Sequence, residues 1–187
     1  MQLYNEDCYE GIKKIPDKSV DLVVTDPPYE FGTGGVGTGL FKNRASSGIY
    51  DEIHLNKIGD GIDLTILDEL CRVMKKINIY LWCNKEQIYD YMTYFVKERK
   101  CNFEIIVWGK PNPAPFTGGH YLKDKEFCLF FWEKGVKING NYDTLKTYYI
   151  KNTNIGDKKL YDHPTIKPLD IIENLITNST NGGGGSP

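Results

Sequence analysis

No apolar run in this 187-residue chain approaches the roughly 20 residues that a membrane span requires, and the first residues show no signal-peptide pattern. Cysteine is sparse and unpaired in pattern. Cys8, Cys71, Cys83, Cys101 and Cys128 are odd in number and include no C-x-x-C pair. That excludes a disulfide framework and a cysteine zinc site, and it suits reduced intracellular thiols. The three histidines, His54, His120 and His163, lie far apart and make no metal-ligand spacing, so no metal site is expected. Extremes of composition are missing as well. Apolar residues make up 40% and charged residues 26%, the range of an ordinary globular domain, and the length suits one domain with its own core.

The net charge of −2 conceals an asymmetry. Residues 1–96 carry 10 Lys/Arg against 15 Asp/Glu, whereas residues 97–167 carry 13 against 8. A polyanion-binding face would therefore lie in the second half, although a solvated lysine-rich surface gives the same count.

Strands and helices alternate along the chain. Gln2 to Tyr4 reads as a short strand and Tyr9 to Ile15 as a short amphipathic helix. Val20 to Val24 reads as a buried strand that ends in Asp26-Pro27-Pro28-Tyr29. Both prolines lack an N–H and have a fixed φ, so the chain after Asp26 joins neither a helix nor a ladder. One carboxylate, two rigid carbonyls and one aromatic ring are thus set at the carboxyl end of a strand, where open α/β sheets bind ligands. A plain Pro-rich turn is the competing reading of these four residues.

Residues 30–62 are glycine-rich with little periodicity. They follow a Pro-Pro turn and open no apolar helix, which rejects a dinucleotide fingerprint or a P-loop and leaves a lid or binding loop. Asp63 can cap a helix with Leu64, Leu67, Cys71 and Met74 inward. A strand over Ile77 to Cys83 follows, then a helix over Lys85 to Lys100 with Ile88, Met92, Phe95 and Val96 inward. Phe103 to Trp108 and Glu126 to Trp132 read as further strands, separated by a proline-stiffened loop, Gly109 to Phe116. Residues 133–162 are polar, rich in Tyr, Lys and Asn. His163-Pro164-Thr165-Ile166-Lys167-Pro168 precedes a last helix from Leu169 to about Thr177, with Leu169, Ile172, Leu175 and Ile176 inward. The tail, 181–187, resembles a flexible linker.

Asp26-Pro27-Pro28-Tyr29 after a strand, Trp108-Gly109-Lys110-Pro111 after a later one, and His163-Pro164-Thr165-Ile166-Lys167-Pro168 before the last helix stand together. Over residues 2–178 this resembles the DNA amino-methyltransferases that use S-adenosylmethionine, in particular the permuted class whose catalytic motif precedes the cofactor motif. The resemblance implies a Rossmann-like α/β fold, with a mostly parallel sheet and an antiparallel edge hairpin formed by Phe103–Trp108 and Glu126–Trp132. It implies a catalytic domain over 1–180, with residues 117–162 where such enzymes carry target-recognition sequence. It implies transfer of a methyl group to N6 of adenine in DNA, in a cytoplasmic enzyme encoded by a bacterium or phage. N4-cytosine or RNA methylation and a non-catalytic DNA-binding remnant are the alternatives.

The roles follow residue by residue from the same resemblance. The Asp26 carboxylate and the Pro27 carbonyl accept the two N–H bonds of the exocyclic amine, with Pro28 stiffening the turn. Tyr29 offers a face on which a flipped adenine stacks, and Trp108 or Phe116 could close the other face, unless they belong to the core. Besides Asp26, Thr165 and Lys167, with His163, would hold the amino-acid end of S-adenosylmethionine. Asp7 and Cys8 align with the segment that touches its adenine, although Asp7 could equally cap the first helix.

In that family a further strand and an Asp-Pro-Phe-x-Gly-x-Gly turn follow the last helix, and nothing of the kind follows Thr180. The expectation is an incomplete sheet in which Gln2–Tyr4 lacks its neighbour. S-adenosylmethionine should bind the isolated chain weakly, either because the chain is a piece or because a second polypeptide supplies the cofactor half.

Overall fold

The computed structural model describes residues 2–29, 63–115, 117, 119–153 and 166–180. The expectations placed on the glycine-rich loop 30–62, on Phe116, His163 and Thr165, and on the tail lie outside the described residues. In chain order the elements are α1 (Cys8–Gly11, continued by a 3-10 turn, Ile12–Lys14), β1 (Val23–Thr25), α2 (Thr65–Val73), β2 (Asn78–Cys83), α3 (Ile88–Met92, continued by π-helical turns over Thr93–Glu98), β3 (Asn102–Gly109), β4 (Lys125–Trp132), β5 (Tyr148–Ile150) and α4 (Leu169–Ser179).

The strands form one sheet in the order β1-β2-β4-β3-β5. β1 and β2 are parallel, as are β3 and β5, while β4 opposes both of its neighbours. Four of the five described strands therefore share a direction. The expected hairpin is present, but β4 lies inside the sheet and a short strand in the polar segment, β5, extends the sheet past β3.

Alternation along β2, β3 and β4 sorts their side chains onto two faces. Ile79, Leu81, Cys83, Leu129 and Phe131 pack with Ile66, Leu67 and Val73 of α2, Tyr91 of α3 and Phe95. Tyr80, Trp82, Ile106, Trp108, Cys128 and Phe130 face the other way, onto Ile171 and Leu175 of α4. Helices on both faces explain why every residue of β2 is buried and why the strand reads as a continuous apolar run.

Three elements depart from the sequence expectation. Val20 makes only an isolated bridge with Met74, because the Asp21 carbonyl accepts from the Asn78 side chain at 3.0 Å, and regular pairing starts at Val23. Gln2 to Tyr4 form no strand, and Leu3 and Tyr4 are exposed. The inward face of α4 is Ile171, Leu175, Asn178 and Ser179, while Leu169 and Ile176 are exposed. Asn178 and Ser179 are buried because each has a partner: Asn178 Nδ2 donates to the Thr144 carbonyl at 2.8 Å, and Ser179 Oγ lies 2.7 Å from the Tyr80 hydroxyl.

Candidate active site

β1 runs into Asp26 at the end of the sheet where β2 and β3 also finish and β4 begins. Leu22, just before β1, and Val24 within it pack on the α4 side of the sheet, the face that carries Tyr80, Trp82 and Trp108. Asp26 continues that alternation. Its side chain keeps 34% exposure at the sheet end.

Lys167, just before α4, reaches back over this end. Its ammonium lies 2.6 Å from Asp26 Oδ2 and 3.1 Å from Glu126 Oε2, and its side chain is only 7% exposed. The ammonium also stands over two rings, 5.0 Å from the centroid of Tyr29 and 5.6 Å from that of Trp82, a cation–π arrangement. Glu126, at the start of β4, accepts from the Tyr29 hydroxyl at 3.1 Å and pairs with Lys110 through its other oxygen. Lys110 itself lies over the Trp108 ring. The motif carboxylate thus belongs to a network of two carboxylates and two ammonium groups, balanced in charge.

The network sets protonation states. Burial pushes the Glu126 carboxyl up, but Lys167 and Lys110 outweigh it and hold the group below the usual carboxylate value. Burial and then the charges of Glu126 and Asp26 push the Tyr29 phenol far above its ordinary range, so Tyr29 is a neutral donor rather than a base. Burial raises the Cys83 thiol to about 12 and the Cys128 thiol well above its ordinary value. A thiol held protonated is a poor nucleophile, which argues against covalent thiol catalysis at this end of the sheet.

The Pro-Pro turn is pinned from α3. Gln87 is 4% exposed and donates through Nε2 to the Pro28 carbonyl at 3.1 Å, while its own N–H is held by Asn84 Oδ1. Pro27 is buried and Pro28 exposed, so the turn is wedged against the sheet on one side. Trp108 follows the core reading. It is 2% exposed, donates its indole N–H to the Lys151 carbonyl at 2.9 Å and packs edge-on against Trp82, which leaves no open face for a base. Asp7 is the cap of α1, its Oδ1 accepting from the N–H of Tyr9 and Glu10, and Cys8 is exposed beside it.

Glu126 and Gln87 are the site residues that the sequence reading lacked. Glu126 stood in view as a carboxylate opening an otherwise apolar strand, which is a recognisable oddity. Nothing local marks Gln87.

The sequence model of the DNA methylase family matches residues 20–184. Among curated proteins, the chain is 23% identical to the type II methyltransferase M2.MboI of Moraxella bovis, over 95% of this chain and 70% of that protein. It is 26% identical to M.HinfI of Haemophilus influenzae, over 93% of this chain and 54% of that protein. It is also 26% identical to M2.LlaDCHI of Lactococcus lactis subsp. cremoris, over 95% and 72%. The chain thus spans between about half and three-quarters of the length of these relatives. Among solved structures, the M1.HpyAVI–SAM complex superposes with a TM-score of 0.63 at 22% identity, covering 96% of this chain and 78% of that one. The cytosine-N4-specific PvuII DNA methyltransferase does so with a TM-score of 0.59 at 15% identity, covering 95% and 70%. The fold is shared with both. The family match spans most of the chain and contains the whole Asp26–Lys167 network: the chain belongs to the DNA methylase family.

Proposed function

We propose that the chain is the catalytic part of a DNA amino-methyltransferase that uses S-adenosylmethionine and modifies N6 of adenine. The observation that carries this reading is the partly exposed Asp26 carboxylate, fixed at the sheet end beside the pinned Pro-Pro turn. The residues present fit the cofactor's amino-acid end. An ammonium has three donors, and among the described residues those of Lys167 engage Asp26 and Glu126, so that one would serve a ligand carboxylate. Lys167, with Thr165 and His163 of the same motif, would hold that end, and Asp7 and Cys8 would border its adenine. The chemistry that S-adenosylmethionine supplies when bound is an electrophilic methyl group.

The protein's own part is to make a poor nucleophile competent. Ring conjugation withdraws the lone pair of an exocyclic amine. The Asp26 carboxylate, held by Lys167 at Oδ2, would accept one N–H of the amine, and the Pro27 carbonyl the other. Acceptors fixed before the base arrives cost no reorganisation during the reaction. Tyr29, neutral and tied to Glu126, gives the base a ring to stack on. A base inside a duplex cannot reach this end of the sheet, so it is flipped out, at a cost of roughly a few kcal/mol. Of residues 117–162, 125–132 are the inner strand β4, so the target would be read by the stretches on either side of it: Tyr121 and Tyr142 are exposed there, among Lys123, Lys134, Lys137 and Lys146.

The test is transfer of a labelled methyl group from S-adenosylmethionine to unmethylated bacterial DNA, followed by mass spectrometry of the nucleosides. N6-methyladenine is the expected product. N4-methylcytosine would keep the enzyme class and overturn the base. Asp26→Ala should lower transfer by at least about 10²–10³-fold, the scale of losing one preorganised polar group, with DNA affinity retained. Persistent transfer by that variant would remove Asp26 from its role. The assay and a calorimetric titration with S-adenosylmethionine are run on the chain alone and then with a polypeptide carrying the family's glycine turn.

A further inference from the structure

Resting on the reading above, we propose that Glu126 is a positioning residue for methyl transfer, the buried anchor that keeps Lys167 on Asp26 and Tyr29 beside it. Three observations converge. Glu126 is only 17% exposed, yet it is tied to three groups: Lys110 on one oxygen, and Lys167 and the Tyr29 hydroxyl on the other. Two of those partners, Tyr29 and Lys167, come from segments expected to touch base and cofactor. The third, Lys110, lies just past the end of β3, beyond Trp108, which pairs directly with Glu126 across the β3–β4 ladder.

The anchor itself is rigid. Glu126 sits in β4, which is paired on both sides within the sheet, whereas Tyr29 and Lys167 lie in connecting segments that need a fixed point. A charge held on a central strand supplies that point better than one on a loop. Asp26 alone would not suffice, because its side chain is at the exposed rim, where a lone ion pair is weak. Glu126 therefore sets where the Lys167 charge stands against the Asp26 carboxylate.

The test uses Glu126→Gln, which keeps shape and an acceptor but removes the charge, and the double variant Lys110→Met/Glu126→Gln, which removes one charge of each sign and guards against misfolding. Two quantities are read on folded protein: the rate at which each lysine is acetylated by an amine reagent, resolved by peptide mass spectrometry, and kcat and KM for DNA. In both variants Lys167 should label several-fold faster than in the wild type. The kcat should fall about 10–100-fold, as for a misplaced reacting group, with KM for DNA little changed. A double variant whose Lys167 stays as protected as in the wild type, or whose kcat returns to the wild-type level, would overturn the proposal and leave Glu126 as a mere counter-charge to Lys110. If the wild type transfers no methyl group even with the polypeptide that carries the family's glycine turn present, the proposed function fails, and the labelling still decides the anchoring.

Discussion

Glu126 lies between two ammonium groups and beside a phenol, and that surrounding makes it a source of pH-dependent stability. Its folded carboxyl is held below the ordinary value of 4.5, mainly by Lys167 and Lys110 acting against burial. The stabilisation is therefore complete above that value and is lost as pH falls through the lower folded one. At neutral pH, Glu126→Gln leaves two poorly exposed ammonium groups without their shared partner, at a cost on the order of 3 kcal/mol. Urea titrations from pH 7 down to pH 3 should show the gap between wild type and variant closing below about pH 4.5. A gap that stays constant would mean that Glu126 is not ionised in the folded protein. Asp26, Tyr29 and Lys167 were legible in sequence because each sits in a short motif whose neighbours announce it. Glu126 was not, since its hydrogen bond to Tyr29 spans 97 positions and only the folded sheet joins them.

Among the elements, α4 is where sequence pattern and structure part. Apolar spacing marks Leu169, Ile172, Leu175 and Ile176 as the inward set; Leu175 is buried and Ile172 packs partly against the sheet, but Leu169 and Ile176 are exposed and Ile171, Asn178 and Ser179 are buried instead. Asn178 and Ser179 lie past the expected end at about Thr177, and their partners, the Thr144 carbonyl and the Tyr80 hydroxyl, are not visible from the helix itself. The difference can be measured. Leu175→Ala should cost about 2–5 kcal/mol in chemical denaturation, as a buried leucine does, whereas Leu169→Ala should stay within about 0.5 kcal/mol. Equal losses would restore the apolar-spacing face. β2 and β4 were readable nearly to the residue, because burial on both sides writes an uninterrupted apolar run. β5 was not, as three exposed or half-exposed residues in a polar segment carry no such signature.

For the molecule as a whole, the cysteines report on how the sheet is covered. Cys83, Cys101 and Cys128 are buried, and burial raises each thiol, to about 12 for Cys83 and about 11 for Cys101. Cys8 is exposed. In a native thiol titration with an aromatic disulfide, Cys8 should react at once and these three only with unfolding. Fast reaction of Cys128 would show that the α4 side of the sheet opens. The general architecture was legible from alternation of strands and helices. The placement of β4 between β2 and β3 was not, since adjacency in a sheet is not written in local pattern.

That placement has a consequence for the birth of the protein. β2 is complete at Cys83, yet its ladder on one side is made by Phe127 to Trp132. At about 5–20 residues per second, a ribosome needs several seconds to pass from one to the other. During that interval the nascent chain carries an apolar strand with a row of unpaired backbone groups, the kind of surface that seeds association between chains. Closing the centre of the sheet is also a long-range event, and such pairings set slow folding rates. The strand that carries Glu126 is thus the one that ends the period of risk, so the anchor of the site and the closure of the sheet arrive together.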